Sequence, residues 1–307
     1  MQSTSNLLMI RPVSFGYNEQ TAASNTFQTQ GDDQQLVQVK ALAEFDGLVK
    51  VLRDNGVSVT VIEDTLMPHT PDSIFPNNWV SFHDNGDVFT YPMQAENRRL
   101  ERREDIITEL EDNFEVKHVI DLSRFEHQGQ FLEGTGSMVL DRENKITYAC
   151  LSPRTNQEVL DVFCKQTGYK SVTFHAFNQN GFAIYHTNVM MCIGSSFAVA
   201  CLDSITNDTE KEVFIHSLKN TGKQIINISF YQMNHFAGNM LEIRNNTGET
   251  LIVMSKSAFD TLNHQQKASL VSFGKLIYAD ISTIETNGGG SARCMIAEVH
   301  LPKVVNS

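Results

Sequence analysis

Asn287-Gly288-Gly289-Gly290-Ser291-Ala292-Arg293-Cys294 is the stretch from which the rest of this 307-residue sequence is read. Three consecutive glycines carry no Cβ, so backbone and ligand can come close to the thiol that follows. A thiol attacks only as its thiolate, which an electropositive, partly exposed setting favours; bare N–H groups of a glycine turn and the Arg293 cation are expected to supply one. A lone cysteine behind a turn is more often a structural core residue, and the loop alone does not decide between the two. Three further segments do: Phe131-Leu132-Glu133-Gly134-Thr135-Gly136, Leu151-Ser152-Pro153-Arg154-Thr155-Asn156 and Tyr185-His186-Thr187-Asn188. With Cys294 they bring together a carboxylate, an anion-binding guanidinium, an imidazole and a thiol.

Composition removes several classes. Lys and Arg number 24 against 36 Asp and Glu, a net charge of −12 that opposes nucleic acid and anionic membrane as partners and leaves a small molecule. A homo-oligomer is compatible with it. No run approaches the roughly 20 apolar residues of a membrane span, so a cytoplasmic address is the default expectation. Five cysteines without CxxC spacing indicate neither a disulfide framework nor a zinc site. Gly134-Thr135-Gly136 lacks the third glycine of a dinucleotide fingerprint, no glycine loop leads into Gly-Lys-Ser/Thr, and no His-Glu-x-x-His occurs. No cofactor and no metal are expected.

Along the chain the order strand, strand, helix, strand recurs about five times without visible sequence repetition. Expected units run from Leu7–Arg11 through a helix near Gln34–Asn55 to Val57–Ile62; from Trp79–His83 and Val88–Tyr91 through a charged helix Arg98–Asn113 to Glu115–Ile120; and from Leu132–Leu140 and Ile146–Ala149 through Gln157–Gln166 to Ser171–Phe174. Next come Val189–Ile193, Phe197–Leu202, a helix from Asp208 to Thr221 and Gln224–Asn227. Last are Met240–Arg244, Leu251–Met254, a helix inside Ser257–Phe273 and Lys275–Asp280, with Cys294–His300 placed to close a ring. Alternating strands and helices suit a doubly wound sheet equally well, so the pattern does not choose a fold.

In this order the four segments resemble the guanidino-modifying enzymes of the pentein superfamily: arginine deiminases, dimethylarginine dimethylaminohydrolases, amidinotransferases and succinylarginine dihydrolases. Met9-Ile10-Arg11-Pro12-Val13-Ser14-Phe15-Gly16-Tyr17-Asn18 and Phe75-Pro76-Asn77-Asn78-Trp79 look most like the citrulline-utilisation hydrolase branch. The resemblance implies the pentein fold, an α/β-propeller of five pseudo-symmetric ββαβ blades, as a single catalytic domain over residues 1–307 with its site in the central channel.

Cys294 is the expected nucleophile, attacking the central carbon of a planar N–C(–N)–X group. His186 is the expected general acid and base. Glu133, set among apolar neighbours, needs a partner and either holds the histidine or binds substrate nitrogens. Arg154 resembles the family arginine that grips a substrate α-carboxylate. Arg98 or Arg99, in a stretch otherwise read as a solvated helix face, is a candidate second contact. Two departures bear on substrate: arginine-processing relatives carry an aspartate where this chain has Asn78, and deiminases a second where it has Asn188. Amides both donate and accept, as a neutral ureido group requires. Citrulline, cleaved to ornithine, ammonia and carbon dioxide, is therefore the expected substrate. An arginine deiminase, a succinylarginine-dihydrolase-like amidinohydrolase, an amidinotransferase and a non-catalytic pentein binding module are the alternatives.

Overall fold

Short apolar runs bounded by turn residues become strands here, and amphipathic runs between them become the crossovers that parallel strands require. The computed structural model describes residues 1–22, 25, 27–29 and 33–304. Among these the strands form five three-stranded sheets. One joins β1 (Asn6–Arg11), β2 (Ser58–Glu63) and the C-terminal β15 (Ala297–Glu298); a second holds β3 (Val80–Phe82), β4 (Asp87–Thr90) and β5 (His118–Asp121). The third holds β6 (Val139–Asp141), β7 (Ile146–Cys150) and β8 (Lys170–Phe174); the fourth β9 (Met191–Ile193), β10 (Phe197–Ala200) and β11 (Gln224–Asn227); the fifth β12 (Leu241–Arg244), β13 (Thr250–Ser255) and β14 (Lys275–Ala279). In each, the inner strand is antiparallel to the middle one, which runs parallel to the outer. β15 pairs with β1, so the first sheet is assembled from both ends of the chain, Leu7 opposite Glu298 and Leu8 opposite Ala297. Inner strands lie side by side, β15 next to β3 and β9 between β6 and β12. The mixed α/β arrangement fits five pseudo-symmetric, propeller-like units.

The longest helix, Gln34–Asp54, starts where Asp33 accepts the N–H groups of Gln35 and Leu36, and buries Val37, Ala41, Phe45, Leu48 and Leu52 along one stripe. It packs on β14 and on the helix Ser282–Gly288, whose exposed first N–H groups, at Thr283 and Ile284, are taken by the Glu44 carboxylate at 2.9 and 3.0 Å. That second helix ends at Gly289, held at φ 64°, and so delivers the chain into the cysteine loop.

A local rule emerges at the axis. Each inner strand is entered through a tight turn that places one small or polar side chain two or three residues ahead of it: Asn78, Ser137, Asn188, Asn239 and Cys294. All five are buried.

Some expected elements differ. The charged helix Arg98–Asn113 is two helices, Glu96–Arg99 and Glu104–Glu111, because Arg98 and Glu101 turn inward and pair in the interior instead of lying on a solvated face. Leu132–Leu140 is not one strand: Gly134–Ser137 makes a helical turn before β6, so Glu133 ends a loop. Thr187–Met190 likewise turns before β9, and the helix within Ser257–Phe273 is split in two at Leu262, where Asn263 and Gln266 form a capping box that starts the second.

Candidate active site

Glu133 reaches the axis because its own N–H is taken by Ser137 Oγ at 2.9 Å, closing the Gly134–Ser137 turn beneath it. The side chain is fully buried. Its Oε2 meets His186 Nε2 at 2.7 Å and its Oε1 accepts the Gln94 N–H at 2.9 Å, while Arg154 Nη1 lies 3.5 Å from Oε2. The His186 ring rests on Tyr185, centroids 4.7 Å apart, and the Arg154 guanidinium covers that tyrosine at 4.8 Å while donating to the Thr21 carbonyl at 3.0 Å. Gly136 makes room for this meeting: a Cβ there would stand 2.5 Å from Asn78 Nδ2 and 2.9 Å from His186 Nδ1. Cys294 Sγ faces two amides, Asn239 Nδ2 at 3.3 Å and Asn188 Nδ2 at 3.4 Å. Cys294, His186, Asn78, Arg98 and Arg154 line one narrow cavity whose free space, about 10 Å³, matches a single water.

Burial pushes the Glu133 carboxyl up, but Arg154, His186 and Arg98 outweigh it and hold the group well below the usual carboxylate range. Burial pushes His186 down to about 4 against the pull of Glu133, so the imidazole is neutral at pH 7. An ionised carboxylate at Nε2 requires the imidazole proton on Nε2, which leaves the Nδ1 lone pair beside Asn78 and Gly136. A neutral imidazole with a free lone pair, in one cavity with a thiol, can take a proton and later return it.

The cavity also resolves the arginine pair. Arg98 is buried; it grips Glu101 with Nε and Nη2, both at 2.9 Å, and gives Nη1 to Asn78 Oδ1 at 2.8 Å. Arg99 points away, to the Met93 and Gln94 carbonyls. The expected cation beside the thiol is absent from that position: Arg293 turns to the Ile296 carbonyl and to Glu298 Oε2 at 2.8 Å. Of the glycine N–H groups, that of Gly289 is taken by the Glu285 carbonyl at 2.9 Å. The carbonyls of Gly288 and Gly289 accept from Asn25 and Tyr185, and the Phe75 ring occupies the space a Cβ on Gly288 or Gly290 would need.

Two residues were missed. Asp72 is buried in the same cavity, its Oδ2 accepting from Asn18 at 2.7 Å and Thr21 at 3.3 Å and standing 3.8 Å from Arg98 Nε; its Oδ1 has no partner among the described residues. Burial raises its pKa against the opposing pull of Arg98. It is the one formal charge between Asp64 and Asp84, six residues before Asn78, a signal the sequence did carry. Asn239 was missed because its position becomes meaningful only when the five inner-strand turns are superposed.

Fold and site together define a pentein hydrolase acting on C–N bonds other than peptide bonds. The chain belongs to the N,N-dimethylarginine dimethylhydrolase family: the model of its eukaryotic branch matches residues 11–301. Among solved structures, the chain is similar to the N-terminal domain of ArgZ, an arginine dihydrolase of cyanobacteria bound to substrate, with a TM-score of 0.75 at 16% identity over 97% of this chain and 98% of that one. It is similar to unliganded AgrE, with a TM-score of 0.76 at 16% identity over 98% of this chain and 40% of that one. A dimethylarginine dimethylaminohydrolase of Pseudomonas aeruginosa, as a cysteine-to-serine mutant complexed with citrulline, gives 0.65 at 14% identity over 96% and 99%. Identities this low establish the shared fold. No curated protein matches in sequence.

Proposed function

We propose that the protein is a cysteine-dependent hydrolase of an amino acid bearing a ureido or guanidino side chain, working as a single catalytic domain whose five sheets close into a ring about the site. The observation that carries this is the convergence of Cys294 and the His186–Glu133 pair on one buried cavity. The Cys294 thiol passes its proton to His186, and the thiolate attacks the central carbon. For citrulline, ammonia leaves with the proton returned by the imidazolium, giving an S-carbamoyl cysteine. Water, deprotonated by His186, then attacks the same carbon, the C–S bond breaks, and the freed carbamate loses carbon dioxide to leave ornithine. Glu133 orients His186, since both its oxygens are engaged by protein groups. Arg154 meets the substrate carboxylate, with Arg98 holding Asn78 toward the reacting group.

Citrulline is supported by the amide of Asn78 in the cavity and those of Asn188 and Asn239 at the sulfur, neutral groups that would not balance the charge of a cationic substrate. A second reading, arginine, has its own observation. Glu133 is committed to His186 and Arg154, so it does not balance a guanidinium; Asp72 does, with one oxygen free. Arg98 and Arg154 face Glu133, Glu101 and Asp72, and because burial raises Asp72 and brings Glu101 up to about 7, a guanidinium entering beside Asp72 would favour its ionised form and pair with it. Separate incubations with citrulline and arginine, assaying ornithine, citrulline and ammonia, decide. Ornithine from citrulline supports the first reading. Consumption of arginine with added citrulline left intact sinks it in favour of the second.

A further inference from the structure

The sulfur of Cys294 is met by side-chain amides where a cation was expected, and one of these amides is locked in place. Asn239 is 1% exposed. Its Oδ1 accepts the backbone N–H of Arg293 at 3.0 Å and its Nδ2 donates to the backbone carbonyl of Asn188 at 2.8 Å. One partner can only donate and the other only accept, so the amide cannot be turned over, and its N–H end lies 3.3 Å from Sγ. The preceding Gly238 permits the approach: a Cβ there would stand 2.5 Å from the Val189 carbonyl oxygen. Asn188 Nδ2, at 3.4 Å, is the looser donor, its Oδ1 having no partner among the described residues.

We propose that Asn239, assisted by Asn188, stabilises the Cys294 thiolate by direct hydrogen bonding to sulfur, and so sets the reactivity of the nucleophile. The inference rests on Cys294 being the nucleophile of the proposed reaction. A sulfur anion accepts an N–H far more strongly than a neutral thiol does, so donors fixed in advance favour the deprotonated form. Amides do this without adding positive charge, which leaves the approach open to a cationic as well as a neutral substrate group. The ionisable groups that face the sulfur from the other elements are His186, Tyr185, Arg98, Arg154 and Asp72 across the cavity, with Arg293 adjacent in the chain but paired to Glu298.

The test titrates the thiolate by its ultraviolet absorbance, taking the difference between each protein and its Cys294→Ser counterpart, and follows iodoacetamide alkylation of Cys294 at neutral pH. Asn239→Ala should move the thiolate midpoint to higher pH and slow alkylation about tenfold or more. Asn239→Asp keeps the shape and the Arg293 contact but turns a carboxylate oxygen on both the sulfur and the Asn188 carbonyl, so it should shift the midpoint further; where either variant is unstable, the difference is read in the fraction shown folded by circular dichroism. Unchanged midpoint and alkylation rate in both variants overturns the proposal, even with turnover reduced, because Asn239 would then only pack. A Cys294→Ser variant with full turnover would instead refute the underlying reaction and leave the thiolate measurement standing on its own.

Discussion

At the residue scale the site depends on how burial divides two titrating groups. Glu133 and His186 sit 2.7 Å apart in the interior, and surrounding arginines hold the acid ionised while desolvation keeps the imidazole neutral. Protonation of His186 should therefore not limit the reaction until pH falls well under the ordinary 6.5, toward about 4, and the acid limb of kcat/KM is expected there. A limb near 6.5 would show that burial does not lower His186 in this way. His186→Asn should lower kcat by about 10²–10⁴-fold with the fold intact by circular dichroism. Arg154 contributes a planar fork that lysine lacks: Arg154→Lys should raise KM about tenfold or more, and carboxamide analogues of the substrate should lose a similar factor against the wild type. Equal KM values for acid and amide substrates would remove Arg154 from the carboxylate.

At the element scale, short turns rather than long helices build the site, and glycines decide how close they come. Gly136→Ala should lower kcat strongly, since its Cβ would push at Asn78 Nδ2 and His186 Nδ1, 2.5 and 2.9 Å away. The contrast is Gly47, solvent-exposed within the helix Gln34–Asp54, where a Cβ meets nothing within 4 Å. Gly47→Ala should stabilise the protein by about 0.5–1 kcal/mol through helix propensity, read as a higher Tm with kcat unchanged. The elements themselves were mostly legible, because apolar runs of period two and stripes of period 3.6 report local geometry. Two of the elements read incorrectly, Arg98–Asn113 and Leu132–Leu140, are ones in which charged or polar side chains turn inward to partners distant in sequence.

At the scale of the whole molecule, charge buried among the sheets makes stability depend on pH. His186 and His300 are both held near 4 by burial, and His83 lies well below its ordinary value for the same reason. The unfolded chain binds protons at these residues near 6.5, so between 6.5 and 4 it carries more protons than the folded chain. The stability these histidines contribute is thus fully present above pH 6.5 and is lost as pH falls through this window, by up to about 3 kcal/mol for each histidine held near 4. Glu101, raised to about 7 by burial, works in the opposite sense over the same window, so the histidine share is read at His300: His300→Asn should lessen the fall in Tm between pH 6.5 and 4. A pH dependence of Tm unchanged by that substitution would mean that His300 titrates normally.

The sequence by itself determined the alternation of strand and helix, the glycine–cysteine loop, and the residue types present at the proposed site: Cys294, His186, Glu133 and Arg154 each stand in a segment whose local composition marks it. Only the tertiary structure decided which of these groups touch. It sent Arg98 inward and Arg99 outward, bound Glu133 to His186, turned Arg293 away from the thiol it precedes, and placed Asp72 at the cavity and Asn239 against the Cys294 sulfur. The reason is physical. Secondary structure follows from interactions a few residues apart, whereas the cavity is made by turns from separate sheets meeting near one axis, where burial and pairing between residues up to 200 or more positions apart set both contact and charge.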